Sequence, residues 1–462
     1  MPLKVPAPLD PGFLPLSVLL AEYDRDVSEY AKSHADWTEF VVAVERNQGY
    51  RDFWFHPAFP DGVETERTVA LLSRVVKTML WTRGGYRIEI HGSRAVYEQA
   101  LKDYRPEGAR AFDADFMSTV YERPFEVVYV DSVSEISVVR NAGSAVGRHL
   151  KGCRIGFDAG GSDRKVSAVI DGEAVYSEEV VWHPKTQTDP QYHYDGIMTA
   201  MKTAASHMPR VDAIGVSSAG VYIDNKIMVA SLFLKVSKED FKKRAQTMYI
   251  DIARELGAPL EVANDGDVTA LAGAMELDTG NVLGIAMGTS EAGGYVDERM
   301  NILGWLNELA FVPVDANPDA MRDEWSGDIG CGVKYFSQDG VVRLAPLAGI
   351  ELPEGATLAE KLKFVQNLAA SGDPRTDKIY DTIGVWFGYA LAWYAAFYDI
   401  KHVLIMGRVT SGTGGARLLE KAGETLRAEF PELADQIKLS IPDEKSRRVG
   451  QSVAAASLPE RA

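Results

Sequence analysis

RIGFDAGGSDRKVSAVIDGE, residues 154–173, is the stretch on which the reading of the fold turns. An apolar, β-rich entry (Ile155, Phe157) runs into Asp158 and then Gly160, Gly161 and Ser162. A second alternating segment (Val166, Ala168, Ile170) ends at Asp171 and Gly172. Two strands joined by a glycine-rich, hydroxyl-bearing turn can aim several backbone N–H groups at one point, making a concavity for an anion. A carboxylate at the mouth of that turn would repel a phosphate unless a cation lay between them. Asp158 therefore reads as a ligand, direct or through water, of Mg²⁺ carried by a nucleotide. An ordinary hairpin with a tight turn accounts for the same residues, and this stretch alone does not choose.

Downstream, the same grammar recurs. A short apolar strand at 213–216 ends in Ser217, Ser218, Ala219 and Gly220. A helix is expected over 238–256, opened by Ser237 and Asp240, with Phe241, Ala245, Met248, Ile252 and Leu256 on one face and Gly257 after its end. The strand at 260–263 runs straight into Asn264, Asp265, Gly266 and Asp267, and the strand at 282–287 meets Gly288, Thr289 and Ser290. A further strand at 402–406 meets Gly407 and the run 410–415, with a helix over 416–430. The segment LGIAMGTSEAGGYV echoes IGFDAGGSDRKVSAV 128 positions later (Leu283 against Ile155). That repetition predicts a duplicated pair of α/β domains whose hairpins face each other across a nucleotide-binding cleft that closes like a hinge.

Asp265 is the strongest candidate for catalysis. It follows a buried-looking strand, and α/β sheets present ligands at the C-terminal ends of their strands. Phosphoryl transfer to an alcohol needs a group that orients the hydroxyl and accepts its proton, which an Asp can do. Asn-Asp-Gly also favours an Asx-type turn irrespective of function. Thr289, Ser290 and the N–H groups around Gly288 would meet outer phosphates, and Gly407 with the 410–415 run would lie beneath the nucleoside. There is no G-x-x-x-x-G-K-[ST] loop, no dinucleotide G-x-G-x-x-G fingerprint and no G-x-S-x-G elbow.

Composition narrows the class. A chain of 462 residues is too long for one core and predicts two or three domains. A net charge of −17, without a Lys/Arg-rich run, argues against nucleic-acid or anionic-membrane binding, which depend on neutralising phosphate. Two cysteines, Cys153 and Cys331, build neither a disulfide framework nor a cysteine-rich zinc site and agree with a cytoplasmic location. The N-terminus is broken by prolines and an aspartate, so no signal peptide is expected. The sixteen uncharged residues 383–398 are short for a membrane span and read as a buried helix. The first 150 residues read as a mixed α/β module without chemistry, with a helix over 64–80 and strands over 86–91 and 125–130. Its aromatics (Trp37, Phe53, Trp54, Phe55, Trp81) are expected to pack in cores or between domains.

Taken in order, an acidic glycine turn, Asn-Asp at a strand end, a Gly-Thr turn and a glycine-rich turn before a helix resemble the ROK family (repressors, open reading frames, kinases) of the actin-like ATPase superfamily. The resemblance covers residues 152–457. It matches Asp158, Gly160, Gly161 and Ser162 to the first phosphate motif, and Asn264 and Asp265, followed by Ala-Leu-Ala at 270–272, to the catalytic motif. GTSEAGG matches the second phosphate motif, with Ser290 in place of a glycine, MGRVTSGTGG the adenosine motif, and PDEKSRRVGQSVAAAS the returning C-terminal helix. Glu308 fits the family's sugar-binding Glu. The zinc histidine is absent and only Cys331 survives of the zinc cysteines; the Glu that should follow them is replaced by Gly332 and Val333; the Asn-containing sugar segment near 231–234 is not recognisable. No zinc is expected.

The resemblance implies a duplicated actin-like (ribonuclease H-like) α/β fold with an extra N-terminal α/β module over 1–150, lobe I over 151–275, lobe II over 276–440 and a segment over 441–462 returning to lobe I. It implies ATP- and Mg²⁺-dependent phosphorylation of a sugar or polyol, with a sugar-responsive transcriptional regulator or a catalytically weak binding protein as the alternative. Asp265 would be catalytic, Asn264 and Glu308 would bind substrate, and Asp158 would hold Mg²⁺. Gly160, Gly161, Ser162, Gly288, Thr289, Ser290, Gly407, Ser411, Gly412 and Gly414 would bind nucleotide. The expected partners are a small sugar or polyol and ATP, with no nucleic acid and no membrane; a homodimer is left open.

Overall fold

The protein is described by a computed structural model covering residues 2–34, 37–136, 146–442 and 444–460; the stretch 137–145, ahead of the boundary expected at residue 150, lies outside the described residues. The chain divides into two compact units: Met1–Asn141, Ile285–Gly293 and Trp305–Ile441 form one; Ala142–Gly284, Gly294–Gly304 and Pro442–Ala462 form the other.

The first unit starts with α1 (Leu16–Ala31), β1 (Thr38–Glu45), β2 (Arg51–Ala58), α2 (Thr65–Arg83), β3 (Arg87–His91), α3 (Arg94–Asp103), α4 (Ala111–Tyr121) and β4 (Glu126–Tyr129). These strands form a mixed sheet of order β2-β1-β3-β4. The expected helix and two strands are present within a residue or three of their bounds. Trp54 and Trp81 are buried, but Trp37, Phe53 and Phe55 are 42–44% exposed. Period-two alternation on the edge strand β2 turns Trp54 inward and sends its two neighbours out.

The second unit is built on β5 (Cys153–Ala159), β6 (Asp163–Ile170) and β7 (Glu173–Val181), then α5 (Pro190–Ser206), β8 (Ala213–Ser218), β9 (Val221–Ile223) and β10 (Lys226–Val229). After these come α6 (Lys238–Asp240), α7 (Met248–Leu256), β11 (Leu260–Asn264) and α8 (Asp265–Leu277). Its five-stranded sheet has the order β11-β8-β5-β6-β7, with β5, β8 and β11 parallel and the β5-β6-β7 meander antiparallel. Asp171 (φ 49°) and Gly172 (φ 89°) make the two-residue turn into β7 with left-handed dihedrals matching the twist of a hairpin. The helix expected over 238–256 is broken. Ser237 caps its first turn, a π-turn spans Phe241–Ala245, and the carbonyl of Gln246 turns out to accept the N–H of Ile227 on β10 at 2.9 Å. Satisfying a strand's donor outweighs continuing the helix there.

The chain continues through β12 (Val282–Met287), β13 (Glu291–Val296), α9 (Gln338–Leu347), α10 (Leu358–Ala370), α11 (Pro374–Ala395), β14 (His402–Met406), α12 (Thr413–Glu429), α13 (Pro431–Gln436), β15 (Lys438–Ser440) and α14 (Glu444–Ala456). A four-stranded sheet runs β13-β12-β14-β15. The uncharged run is mostly α11, whose Gly384 and Gly388 let it lie against α12 at Leu418 and Thr425; no described helix is long and apolar enough to cross a membrane.

Two internal ties stand out. In the second unit, α14 lies directly on β5 and β8: a Cβ on Gly156 would overlap the Ser452 carbonyl and one on Gly215 the Ala455 carbonyl. The buried guanidinium of Arg154 clamps the helix end by donating to the carbonyls of Ala456 (3.3 Å) and Pro459 (2.8 Å). In the first unit, Arg74 and the fully buried Lys77 on α2, together with Arg110 beside α4, converge on Oδ2 of Asp328 at 2.7–2.8 Å. Asp113 lies 3.8 Å from the Lys77 ammonium, and the Cys331 thiol 3.7 Å from it. The three cations hold the Asp328 carboxyl far below the ordinary carboxylate range, despite its burial.

A depressed carboxylate stabilises the fold above its unfolded-state pKa of about 4 and loses that contribution as pH falls below it. Asp328→Asn should therefore cost about 3–5 kcal/mol at pH 7, since three cations lose their counter-charge, and should flatten the acid side of the stability curve. Denaturant melts at pH 7 and pH 3 check this, and an unchanged midpoint at pH 7 would contradict it. Gly215→Val should leave no soluble folded protein. Gly257→Ala, in open space but at φ +68°, should cost only about 1 kcal/mol; expression yield and thermal melts compare the two.

Candidate functional site

The parallel strands of the second unit end at one level. In their register Asp158 pairs with Ser217 and Ser218 with Asn264. Asp158 and Asn264 thus stand two strands apart, roughly 10 Å, on the C-terminal edge of the sheet. Oδ1 of Asp158 accepts the Ser217 hydroxyl at 2.9 Å and the Gln451 amide at 3.3 Å. Oδ2 lies 3.9 Å from the Lys165 ammonium. Burial pushes the Asp158 carboxyl up to about 6, against the pull of Lys165 and with added repulsion from Asp265.

Asn264 is the N-cap of α8 and Asp265 its first residue. The carboxamide of Asn264 accepts the Gly266 N–H at 2.8 Å and donates to the Gly220 carbonyl at 2.8 Å, so one residue ties the helix start to the loop after β8. Oδ1 of Asp265 accepts the Gly266 N–H at 3.1 Å. Burial raises the Asp265 pKa, while that hydrogen bond and the Lys185 ammonium lower it. The helix start is seated by Gly294, where a Cβ would overlap the backbone of Gly266, and by Asp267, which accepts the Tyr295 N–H at 3.1 Å.

The glycine turn after β5 is held from outside. Trp182 donates its ring N–H to the Gly160 carbonyl (2.8 Å) and its backbone N–H to the Ser162 carbonyl (3.1 Å). Two carbonyls of the turn are consumed, whereas the N–H groups of Gly160, Gly161 and Ser162 bond to nothing among the described residues. A concavity of free N–H groups with its carbonyls turned away suits an anion.

Among the described residues no three His, Cys, Asp or Glu side chains gather as a protein-only metal cage. Mg²⁺ held through phosphates needs only one or two carboxylates. Asp158 fits that demand, because a cation would relieve the cost of its burial and its Oδ2 meets only a loosely placed ammonium.

In the first unit, Gly288, Thr289 and Ser290 form the turn between β12 and β13, with the Gly288 N–H bonded to the Ser290 carbonyl and the Gly288 carbonyl accepting from Gln338 (2.8 Å). Thr289 and Ser290 are exposed. Gly407 (φ 99°) follows the neighbouring strand β14, and a Cβ there would overlap the Met287 backbone. Ser411 and Gly412 are exposed, and Gly414, inside the first turn of α12, lies against the Tyr380 ring. Glu308 is half-buried, its N–H bonded to the Trp81 carbonyl at 3.1 Å.

The structure thus gathers Asp158, Gly160, Gly161, Ser162, Asn264 and Asp265 at one sheet edge of the second unit, and Gly288, Thr289, Ser290, Gly407, Ser411, Gly412 and Gly414 at the ends of adjacent strands in the first. Sequence reasoning missed Trp182, Ser217 and Gln451, which hold the turn and Asp158. Only Ser217, at a recognised strand end, left a signal.

Comparison with curated proteins gives no match. Solved structures with the same fold include a ROK family glucokinase from Streptomyces griseus in complex with glucose and AMPPNP (21% identity, 66% of this chain and 98% of that one, TM-score 0.50). A ROK hexokinase from Thermus thermophilus (17%, 66% and 97%, 0.51) and a ROK transcriptional regulator homologous to the E. coli Mlc protein (18%, 67% and 79%, 0.51) are similar too. The sugar kinases among them have the actin-like ATPase fold, which this mixed α/β chain shares. The ROK family model matches residues 154–450, from the strand that opens the glycine turn to the helix that closes the sheet, and the chain belongs to the ROK family.

Proposed function

We propose that this chain is an ATP-dependent kinase acting on the hydroxyl of a sugar or related polyol. The observation that carries the reading is the setting of Asp265. It opens α8 at the sheet edge, its carboxylate meets only backbone N–H groups among the described residues, and Asp158 and the glycine turn with its free N–H groups share that edge.

In this reading the acceptor hydroxyl lies at Asp265, which orients it and takes its proton as the phosphoryl group moves. A raised pKa makes Asp265 a stronger base than an exposed Asp, and the helix N-terminus keeps its charged form accessible. Asn264 holds Asp265 in place and has one amide N–H left for a substrate hydroxyl; Glu308 is the second proposed sugar contact. Gly160, Gly161 and Ser162 offer N–H groups to the transferring phosphate. Thr289 and Ser290 beside Gly288 bind phosphate, and Gly407, Ser411, Gly412 and Gly414 bind the nucleoside. Mg²⁺, where bound, would neutralise phosphate charge, with Asp158 the residue to hold it.

The family also holds regulators, one of which shares this fold. Against that role stand the net charge of −17 and the mixed four-stranded sheet over residues 38–129.

In a coupled ADP-release assay over a panel of hexoses, amino sugars and polyols, Asp265→Asn should lower turnover by roughly 10²–10⁴ with nucleotide affinity nearly unchanged. Asp158→Asn should instead raise the Mg²⁺ concentration needed for half-maximal rate. Wild-type protein that releases no ADP with any acceptor but shifts a DNA fragment at low salt would overturn the kinase reading in favour of the regulator.

A further inference from the structure

Lys185 lies in the short 3₁₀ turn Pro184–Thr186 that follows β7, and its side chain reaches back over the glycine turn. The place a Cβ would take on Gly161 is 2.6 Å from Lys185 Cε and 2.9 Å from Nζ. The ammonium thus lies against the turn, on the Gly161 face. The stem is anchored. Trp182, three residues earlier, bonds to both ends of the glycine turn, and the Pro184 carbonyl accepts from the Gln187 N–H at 3.1 Å and faces the ring of buried His193 at 3.2 Å.

The head is not anchored. Lys185 is exposed and makes no hydrogen bond or ion pair with any described residue. Yet its charge is felt at Asp265. An unpaired ammonium beside three free backbone N–H groups, within electrostatic reach of the proposed base, gives an anion four donors, enough to offset the Asp163 carboxylate that lies against Gly160. A compact cation with three donors suits the tetrahedral oxygens of a terminal phosphate.

We propose that Lys185 contacts the terminal phosphoryl group of the nucleotide and stabilises the charge on its oxygens during transfer. This rests on the kinase reading. In the step concerned, the acceptor oxygen forms a bond to the γ-phosphorus as the bond from that phosphorus to the β,γ-bridging oxygen breaks. The electron pair of the broken bond leaves on ADP, and the acceptor's proton passes to Asp265. Lys185 neither gains nor loses a proton; its ammonium offsets charge on the non-bridging oxygens.

The test uses the full chain and the variants Lys185→Met and Lys185→Arg, with thermal melts to show that all three fold alike. Titration calorimetry without sugar compares AMPPNP with ADP, and the ADP-release assay gives kcat and KM. Lys185→Met should weaken AMPPNP at least tenfold with little change for ADP and lower kcat/KM for ATP about 10²–10³-fold, the size of losing one oxyanion donor; Lys185→Arg should recover part of the loss. Wild-type affinity and turnover retained in Lys185→Met, or an equal loss for ADP and AMPPNP, would overturn the role of Lys185 and leave the kinase reading standing. Wild-type protein that binds neither nucleotide would overturn both.

Discussion

The sheet edge that carries Asp158 in the second unit depends on two missing methyl groups. Gly156 on β5 and Gly215 on β8 let the backbone of α14 press onto the sheet at Ser452 and Ala455. A helix at ordinary side-chain distance would stand farther out, and Gln451 would lose its reach to Asp158 and Ser217. The close contact thus sets the hydrogen bonds of Asp158 as well as the core. It brings the last turns of the chain beneath a carboxylate more than 290 residues earlier.

The first unit is tied by charge. Arg74, Lys77 and Arg110 enclose Asp328, with Asp113 as second counter-ion and the Cys331 thiol beside the lysine. Burying five charged side chains has a large desolvation cost, offset only when each finds a partner at short distance. Here α2 and α4, from the N-terminal stretch, supply the cations, and the loop at 323–334 supplies the anion. The interaction joins the added N-terminal residues to the family-like part of the chain inside one compact unit.

The two units use their glycine turns in a similar local way. In each, a strand ends in a turn with a glycine close to a neighbour: Gly161 beside the movable tip of Lys185, and Gly407 against the Met287 backbone, which leaves no room for a Cβ. Both turns are flanked by ionisable side chains: the one after β5 by Asp158, Asp163, Lys165 and Lys185, the one after β12 by the buried Glu291.

Local chemistry was legible along the chain. The apolar run of β5, the Asp171-Gly172 turn, the capping Asn264 and the uncharged α11 follow from patterns of two to twenty residues, and the order of the glycine motifs carried the family. The break at Gln246 was not legible, because its cause is a strand donor nineteen residues away. Nor was the exposure of Phe53 and Phe55, since alternation alone does not say which face of an edge strand is covered. Nothing in the local sequence marks Asp328 as the meeting point of three cations, or Lys185 as a neighbour of the glycine turn. The sequence by itself determined the strands, the turns and the chemical types at their ends. Only the tertiary structure decided which distant side chains meet there, because burial, desolvation and charge pairing depend on neighbours that chain order does not reveal.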